Sequence, residues 1–242
     1  KLRICDGLSC EMAGAKILRK NLKALFQEYS KGFEKIRLQA VPCVGRCQHA
    51  PIAVVGKNPI DRATPQLVNK CIEKKEILPS LPKYINFKEY KQSGGYKFFQ
   101  DCIAKRHNAE SIIAELKNSG LRGLGGAGFP AGNKWEIVKR FPKPRLMAVN
   151  IDEGEPGTFK DRYYLESDPH RFLEGSMIAA WAVGIDKIYI YLRDEYAAAR
   201  EILLLEIEEL KSFFKEIIPE IHLRRGAGAY ICGEESAMIE SI

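Results

Sequence analysis

The alternation of apolar and polar residues at the start of the chain predicts a small α/β unit. Leu2–Cys5 has the pattern of a strand, and a helix is predicted near Met12–Tyr29. Ile36, Leu38 and Ala40 then alternate with polar residues, as in a half-buried strand. The apolar face of the predicted helix consists of Leu18, Leu22, Leu25, Phe26 and Tyr29.

Two more strands and a helix complete this unit. Ile52–Gly56 and a short strand after the turn Lys57–Pro59 are predicted to form a hairpin. Thr64 is predicted to cap a helix that has Pro65 at its first position. The order βαβ followed by ββα is typical of a thioredoxin-like domain, here predicted over residues 1–78. The buried stripe of the last helix is predicted to be Leu67, Val68, Cys71 and Ile72.

The rest of the chain predicts a connector over residues 79–105 and a larger α/β domain over residues 106–242. Pro79, Pro82 and the pair Gly94–Gly95 punctuate the connector. Strands are predicted at Leu146–Asn150, Lys187–Leu192 and Glu220–Leu223. Helices are predicted at Asn108–Asn118, from Asp168–Pro169 to Gly184, from Asp194 to about Phe214, and after the loop Gly226–Gly233.

Composition and charge exclude several classes of protein. The net charge of +7 comes from basic residues that are spread along the chain and mixed with 31 acidic ones, so we expect no nucleic-acid partner. No signal peptide is visible, and the longest apolar stretch, Met177–Ile185, is too short for a membrane span. We therefore expect a soluble, cytoplasmic protein. A start at Lys1 and an end at Ile242 within a helical pattern suggest a processed or trimmed chain.

Four of the seven cysteines form two spaced pairs. Cys5, Cys10, Cys43 and Cys47 give C-x4-C, a gap of 32 residues and C-x3-C. Their loops lie side by side in a thioredoxin-like fold, so the four thiolates can converge on an iron–sulfur cluster. Structural zinc is the alternative, although zinc sites usually use tighter C-x2-C pairs. The remaining cysteines are predicted to be buried and not to bind metal: Cys71, Cys102 and Cys232.

Three loops in the second part carry candidate ligand-binding chemistry. The glycine-rich loop Gly120–Gly132 follows a predicted helix, unlike a Rossmann fingerprint, and its bare backbone suits a flat ligand. Arg122 and Lys134 bracket it with charge suited to a phosphate. The acidic loop Asn150–Arg162 suits ribose or ribityl hydroxyls, with a hard cation as the alternative. The third loop, Gly226–Ser236, places Glu234 and Glu235 in the first turn of a helix, where capping electrostatics also favours acidic residues.

The cysteine segment Cys43-Val-Gly-Arg-Cys47-Gln-His-Ala-Pro51 resembles that of the thioredoxin-like [2Fe–2S] ferredoxin subunit of respiratory complex I. From about residue 108 onward, the three loops resemble in order the FMN- and NADH-binding flavoprotein of complex I. They also resemble its relatives in NAD-reducing hydrogenases and NAD-dependent formate dehydrogenases. A ferredoxin domain in the same chain is more typical of those relatives, as is Lys134-Trp135-Glu136.

The resemblance implies a role for each matching position. Glu155 lies near the nicotinamide and is the candidate catalytic residue, and Phe129 stacks on the adenine. The four paired cysteines bind a [2Fe–2S] cluster, and a [4Fe–4S] cluster is expected in a C-terminal region beyond Ile242. The other residues implied to bind FMN or NAD(H) are Arg122, Gly123, Gly125, Gly126, Ala127, Gly128, Lys134, Asn150, Asp152, Glu153, Tyr230, Gly233, Glu234 and Glu235.

The chain departs from that family at three positions. Leu124 stands where the family usually has Arg, Ala131 replaces a common Thr, and Ile137 replaces an aromatic residue of the respiratory enzymes. The resemblance implies hydride transfer between NAD(H) and FMN and single-electron transfer to iron–sulfur clusters. The partners are other subunits of a redox complex: ferredoxin-like, hydrogenase or formate dehydrogenase subunits. The alternative is a non-catalytic assembly subunit with zinc at the cysteines and a vestigial flavin pocket.

Overall fold

A four-stranded mixed sheet organises the N-terminal unit of the computed structural model, which describes residues 1–28, 36–124 and 126–242. The strand order is β2-β1-β3-β4, with β1 and β2 parallel and the other neighbours antiparallel. This arrangement confirms the predicted thioredoxin-like order. The elements are β1 Leu2–Cys5, α1 Leu8–Met12, α2 Ala15–Glu28, β2 Leu38–Val41, β3 Ala53–Val55, β4 Asn58–Ile60 and α3 Pro65–Glu73.

The helix predicted near Met12–Tyr29 is confirmed as α2, which begins three residues later than predicted. It is preceded by a short helix that the prediction lacks, α1, and Gly14 separates the two with a φ of +93°, which a continuing helix does not allow. Cys10 lies inside α1 with its side chain buried. Leu18 and Leu22 are buried on α2 as predicted, and Tyr29 lies outside the described residues.

The last helix of this unit is confirmed, with one error in its buried stripe. The Thr64 hydroxyl accepts a hydrogen bond from the Leu67 backbone N–H and caps α3. Val68 and Cys71 are buried, but Leu67 is 45% exposed because it lies on the solvent side of the helix. The hairpin before α3 turns at Gly56 and Lys57, earlier than predicted, and Gly56 has a φ of +61°.

The predicted connector is itself helical and packs on the second unit. It contains α4 Phe87–Gln92 and α5 Lys97–Ile103. Tyr96 and Phe99 are fully buried in the same apolar cluster as the second unit's strand Lys187–Leu192 and helix Ala197–Phe214. The segment therefore contributes core residues to the larger unit.

A three-stranded parallel sheet with the order β5-β6-β7 forms the centre of the second unit. The prediction of a strand at Lys187–Leu192 is confirmed, as is the helix opened by Asp168 and closed by Gly184. The elements are α6 Ala109–Asn118, α7 Ala131–Arg140, β5 Leu146–Ile151, α8 Lys160–Ser167, α9 Pro169–Val183, β6 Lys187–Leu192, α10 Ala197–Phe214, β7 Glu220–Arg225 and α11 Glu235–Ser241.

Two helices of this unit are absent from the prediction: α7, which begins inside the predicted glycine loop, and α8, which begins inside the acidic loop. Helix α10 begins at Ala197 rather than Asp194, and β5 ends at Ile151 rather than Asn150. Strand β7 continues to Arg225 because it pairs with β6 along its whole length. Among the described helices, none is long and apolar enough to cross a lipid bilayer.

The register of the parallel sheet brings three chain segments to one edge. Ile151 pairs with Leu192, and Leu192 pairs with Arg225, so β5, β6 and β7 end together. Residues that directly follow these strands therefore meet at the carboxyl edge, where open α/β sheets commonly bind ligands.

Candidate functional site: four thiols beside an acidic cleft

The four paired cysteines meet at one end of the N-terminal sheet. Cys5 ends β1, Cys10 lies in α1, and Cys43 and Cys47 lie in the loop after β2. The Cys43 and Cys47 sulfurs are 3.2 Å apart, and the Cys5 thiol hydrogen-bonds with both Cys10 and Cys43. Cys47 is half-buried, and the other three are buried. The predicted convergence of the thiols is therefore present.

Backbone N–H groups point at these sulfurs. The Gly45 N–H donates to Cys43 Sγ at 3.4 Å, and the Gly157 N–H donates to Cys47 Sγ at 3.3 Å. The hydrogen bond to Cys5, together with burial, raises the pKa of Cys43, and burial raises the pKa of Cys47. Metal binding to these thiols must therefore release protons.

The four sulfurs form one continuous set of neighbours, because Cys5 adjoins Cys10 and Cys43, and Cys43 adjoins Cys47. Four adjoining thiols with N–H donors fit the four-thiolate ligand set of a [2Fe–2S] cluster. Within the described parts of the chain, no group of three or more His, Cys, Asp or Glu side chains already has the geometry of a metal-ion site. The other three cysteines are buried as predicted: Cys71, Cys102 and Cys232.

A cleft of about 610 Å³ opens at the carboxyl edge of the parallel sheet. This volume is within the range of small-molecule and cofactor sites. The acidic loop after β5 and the third loop after β7 supply most of its walls. The lining residues are Leu124, Asn150, Asp152, Glu153, Gly154, Glu155, Thr158, Lys160, Asp161, Tyr230, Ile231, Gly233 and Glu234.

Asp152 offers this cleft an unused hydrogen-bond acceptor. Its Oδ2 atom is buried and has no hydrogen-bond partner in the structure. Burial raises the pKa of Asp152, although Arg193 opposes the shift. A buried acceptor without a donor costs free energy, and a ligand hydroxyl would satisfy it. This orphaned oxygen fits the ribityl or ribose hydroxyls of FMN and NAD(H).

Close backbone approach shapes the wall beside Asp152. A Cβ at Gly233 would lie 2.8 Å from the Asp152 carbonyl oxygen, so only glycine fits there. The Asn150 amide donates to the Gly233 carbonyl at 2.7 Å and ties the two loops together. The Tyr230 hydroxyl donates to Glu155 Oε2 at 2.7 Å across the cleft. Tyr230 therefore fixes the position of the Glu155 carboxylate.

Besides Glu155, two other predicted acidic residues have hydrogen-bond partners within the protein. Glu153 accepts hydrogen bonds from the Asp161 backbone N–H at 3.1 Å and from the Tyr196 hydroxyl at 2.7 Å. Glu234 is the N-cap of α11, because its carboxylate accepts from backbone N–H groups of the first turn. Both still line the cleft, whereas Glu235 does not.

The glycine-rich loop closes on itself more than the sequence indicates. The Arg122 guanidinium donates to the Gly128 carbonyl at 2.9 Å, and the Gly123 N–H donates to the Phe129 carbonyl at 3.0 Å. Of the described residues in this loop, Leu124 lines the cleft. Gly125 lies outside the described residues. Those that do not line the cleft in this structure are Arg122, Gly123, Gly126, Ala127, Gly128 and Phe129.

Lys160 supplies a positive charge that the loop motifs did not identify. It is the one cation among the described lining residues, whereas Lys134 is exposed on α7 outside the cleft. Burial alone would lower the pKa of Lys160, but the hydrogen bond to Asp161 at 2.6 Å, together with the negative charges of Asp161 and Glu153, outweighs burial and raises that pKa. The signal available in the sequence was its position inside the acidic loop.

The acidic loop also contacts the cysteine loop from its other side. Besides the Gly157 bond to Cys47, the Arg162 guanidinium donates to the Gly45 carbonyl at 3.1 Å. Arg193 donates to the Glu153 carbonyl at 2.6 Å and also to the Cys43 carbonyl. The segment 152–162 therefore forms a wall of the cleft and part of the surroundings of the thiols.

The fold and the two sites define a class of protein: a thioredoxin-like thiol-cluster unit joined to an α/β unit with a nucleotide-sized cleft. A family model described as the Nuo51 FMN-binding domain matches residues 116–242. Another, described as thioredoxin-like [2Fe-2S] ferredoxin, matches residues 1–76. Since the first covers more than half of the chain, the chain belongs to the Nuo51 FMN-binding domain family. The two matches support FMN and a [2Fe–2S] cluster as cofactors.

Similar curated proteins and solved structures agree with this membership. The chain is 46% identical over 169 residues to the F subunit of NADH-quinone oxidoreductase from Aquifex aeolicus, covering 66% of this chain and 39% of that protein. It is 40% identical over 172 residues to the mitochondrial NADH-ubiquinone oxidoreductase 51 kDa subunit of Neurospora crassa, covering 65% and 34%. An H2-reduced NAD+-reducing [NiFe]-hydrogenase matches with a TM-score of 0.80 and 30% identity, over 99% of this chain and 45% of that chain. The matched region thus spans about two fifths of the length of the Aquifex aeolicus protein.

Proposed function

We propose that the chain is the NAD(H)- and FMN-binding part of an NADH:acceptor oxidoreductase, a diaphorase, with a [2Fe–2S] centre in the same polypeptide. Family membership, the cleft and the four adjoining thiols support this function. The relatives are named as NADH-quinone oxidoreductase and NAD+-reducing hydrogenase proteins. Bound FMN supplies hydride exchange with NAD(H) and splits the electron pair into single electrons.

One observation carries the proposal: the same loop borders both sites. Glu155 faces the cleft and accepts from Tyr230, and two residues later the Gly157 N–H donates to Cys47 Sγ. An electron donor bound in the cleft would therefore share this loop with an acceptor held by the thiols. The protein residues provide position and electrostatics rather than the redox chemistry itself.

Each group of residues in the cleft has a distinct task in this proposal. Asp152 and Asn150 would accept and orient hydroxyl groups, and Lys160 would pair with a phosphate. Glu155 would lie beside the nicotinamide, after its hydrogen bond with Tyr230 has rearranged. No side chain needs to act as a general base, because hydride transfer from NADH removes no separate proton. The cluster would be held through the thiolates of Cys5, Cys10, Cys43 and Cys47.

The chain would work in the cytoplasm as part of a larger redox complex. We propose ferredoxin-like, hydrogenase or formate dehydrogenase subunits as its partners. Because the chain spans less than half of the relatives it matches, we also propose a [4Fe–4S] cluster in a region of the whole protein outside this chain.

An absorbance experiment with the whole protein tests the proposal. We expect flavin bands and broad iron–sulfur absorbance, both of which bleach when NADH is added. A colourless, zinc-containing protein would instead indicate the non-catalytic assembly subunit and refute the diaphorase function.

A variant of Glu155 tests the assignment of the cleft. We expect Glu155→Ala to lower the rate of NADH oxidation at least tenfold while retaining most of the bound flavin, because Glu155 is assigned to the nicotinamide side. The matched control is Glu240→Ala, on the exposed face of α11, which we expect to keep both properties. An equal loss of activity and flavin in Glu155→Ala would show that the residue is misassigned.

A further inference from the structure

The outward face of α1 exposes apolar side chains directly behind a cluster cysteine. Leu8 is 73% exposed and Met12 is 81% exposed, and their four-residue spacing places them on one side of the helix. Cys10, midway between them, points to the opposite side and is buried. Ile17, in the first turn of α2, is a further exposed apolar side chain, 66% exposed.

A stripe of cations begins at this apolar surface and runs along α2. Its spacing of i, i+3, i+4 and i+7 places all members on one helix face. The first cation, Lys16, forms an ion pair with Glu11 of α1 at 2.7 Å, so this end of the stripe lies beside α1. Between Ala15 and Phe26 the helix carries no acidic residue. The members of the stripe, all exposed, are Lys16, Arg19, Lys20 and Lys23.

Helix stability does not account for this stripe. A cation in the first helical turn opposes the macrodipole, and α2 has Lys16 but no acidic residue there. Solvated helix faces usually intersperse both signs of charge, which limits self-repulsion. The single-sign stripe therefore has an electrostatic cost that an acidic partner would offset.

We propose that this surface, the α1–α2 face, docks an acidic one-electron carrier protein of the ferredoxin kind. Its members are Leu8, Met12 and Ile17 with Lys16, Arg19, Lys20 and Lys23. A small apolar centre beside a charged stripe suits a transient redox contact, in which complementary charge speeds encounter.

The position of Cys10 explains why the partner is an electron carrier. A protein seated on α1 is separated from the Cys10 side of that helix by roughly one helix diameter, about 10 Å. One electron passes between the reduced cluster and the oxidised carrier, or in reverse, without proton transfer. This inference rests on the proposed function, because it needs a redox centre at the thiols.

Binding of purified acidic ferredoxins to the full chain tests the inference. The probes are a plant-type [2Fe–2S] ferredoxin and a two-cluster bacterial ferredoxin, titrated calorimetrically against the reconstituted protein. We expect saturable binding whose Kd rises at least tenfold between about 50 mM and about 200 mM salt, because salt screens exposed charges. Absence of saturable binding by both probes would overturn the docking surface.

Two variants and a matched control locate the contact. Reversing the stripe with Lys16→Glu, Arg19→Glu, Lys20→Glu and Lys23→Glu should weaken binding at least tenfold. Leu8→Ser with Met12→Ser should weaken binding while leaving its salt dependence unchanged. The control variant reverses four exposed lysines away from the α1–α2 face: Lys70→Glu, Lys83→Glu, Lys88→Glu and Lys97→Glu. It changes the net charge by the same amount and should bind ferredoxin like the wild type. Equal loss in the control would overturn the inference.

Two further readouts separate this inference from other outcomes. Light scattering that shows a dimer abolished by Leu8→Ser with Met12→Ser would assign the face to a second copy and overturn the proposal. NADH-dependent bleaching of the same sample tests the proposed function independently. Bleaching without ferredoxin binding refutes the docking surface alone, whereas binding without bleaching supports the surface and refutes the diaphorase function.

Discussion

The buried carboxylate of Asp152 has a cost in stability that a ligand hydroxyl would reduce. Its buried Oδ2 has no donor, and burial raises its pKa. Buried polar atoms without partners are uncommon in folded proteins and often mark function. The cost is therefore consistent with an acceptor kept free for a ligand hydroxyl.

Replacing this carboxylate should separate stability from binding. We expect Asp152→Asn to raise the free energy of unfolding of the flavin-free protein at neutral pH, because the amide carries no charge to bury. Because the pKa of Asp152 is raised in the folded state, its ionised carboxylate destabilises the wild-type protein, and this loss of stability is complete above the folded-state pKa. It disappears below about pH 4, where the carboxyl group is protonated in both the folded and the unfolded state. Flavin affinity should fall about tenfold, since a charge-assisted hydrogen bond is lost. Urea unfolding at two pH values and FMN titration measure both effects.

The opposite result for Asp152→Asn would contradict this account. A variant that is less stable at neutral pH, yet binds FMN like the wild type, would mean that Asp152 acts within the fold rather than on the ligand.

Lys160 and Lys134 give competing predictions for the phosphate-binding cation. Lys160 lines the cleft, whereas Lys134 lies outside it. We expect Lys160→Gln to weaken FMN or NADH binding about tenfold, because a charge-assisted hydrogen bond to phosphate is lost. Lys134→Gln is the control and should bind nearly as the wild type does. Fluorescence titrations measure both, and the reverse order would favour the cation predicted from the glycine loop.

At the scale of elements, the cysteine loop and the acidic loop are packed against a single aromatic ring. Gly45 has a φ of +70°, and a Cβ there would lie 2.5 Å from Cε1 of Tyr196. The Tyr196 hydroxyl in turn donates to Glu153. Close packing at Gly45 therefore links the thiols of one unit to the acidic loop of the other.

Adding one methyl group at Gly45 should disturb this contact. We expect Gly45→Ala to lower the free energy of unfolding by about 2–4 kcal/mol, through backbone strain and overpacking against Tyr196. Gly94→Ala is the matched control, because Gly94 also has a positive φ but open space around it. We expect Gly94→Ala to lower the free energy of unfolding only through backbone strain, by about 1 kcal/mol. Urea unfolding compares the two, and equal losses would show that the Tyr196 contact contributes little.

At the scale of the whole molecule, a buried polar network joins the predicted connector to the second unit. Glu206 on α10 accepts hydrogen bonds from the Tyr84 hydroxyl at 2.7 Å and the Phe87 N–H at 3.0 Å. His170 Nε2 lies 2.7 Å from the same carboxylate, and the Tyr96 hydroxyl lies 2.8 Å from His170 Nδ1. Burial alone would raise the pKa of Glu206, but the hydrogen bonds from His170 and Tyr84 outweigh it and lower that pKa.

Removing the carboxylate should release the connector. We expect Glu206→Ala to cost about 3–5 kcal/mol, since several buried donors lose their acceptor. Because the pKa of Glu206 is lowered, this stabilisation is present above about pH 4.3 and is lost as the pH falls through the folded-state pKa. Chemical unfolding at neutral and acidic pH measures both statements.

An exposed glutamate on the same helix is the control for Glu206. Glu208→Ala removes an exposed pair with Lys211 and should change stability by less than about 0.5 kcal/mol. Proteolysis within residues 79–105 should accelerate in Glu206→Ala alone. Similar effects of the two variants would contradict a structural role for the network.

The sequence by itself determined the order of the strands in both units and the positions of the four paired cysteines. Local periodicity predicted the strand Lys187–Leu192, and local capping chemistry predicted the helix start at Thr64. The sequence also contains the loop motifs that resemble known FMN and [2Fe–2S] proteins. These motifs can be read from the sequence because each is a contiguous segment of the chain. Amphipathic spacing does not predict the helix break at Gly14, because the spacing reports which side chains are buried and not the φ of +93° that the backbone adopts there.

Only the tertiary structure decided which residues meet. The bond from Gly157 to Cys47 joins positions 110 residues apart, and Lys160 reaches the cleft while Lys134 does not. Periodicity describes which side of an element is buried, but it says nothing about how distant loops converge. That convergence depends on the parallel register of β5, β6 and β7 and on the packing of the two units, so it follows from long-range contacts.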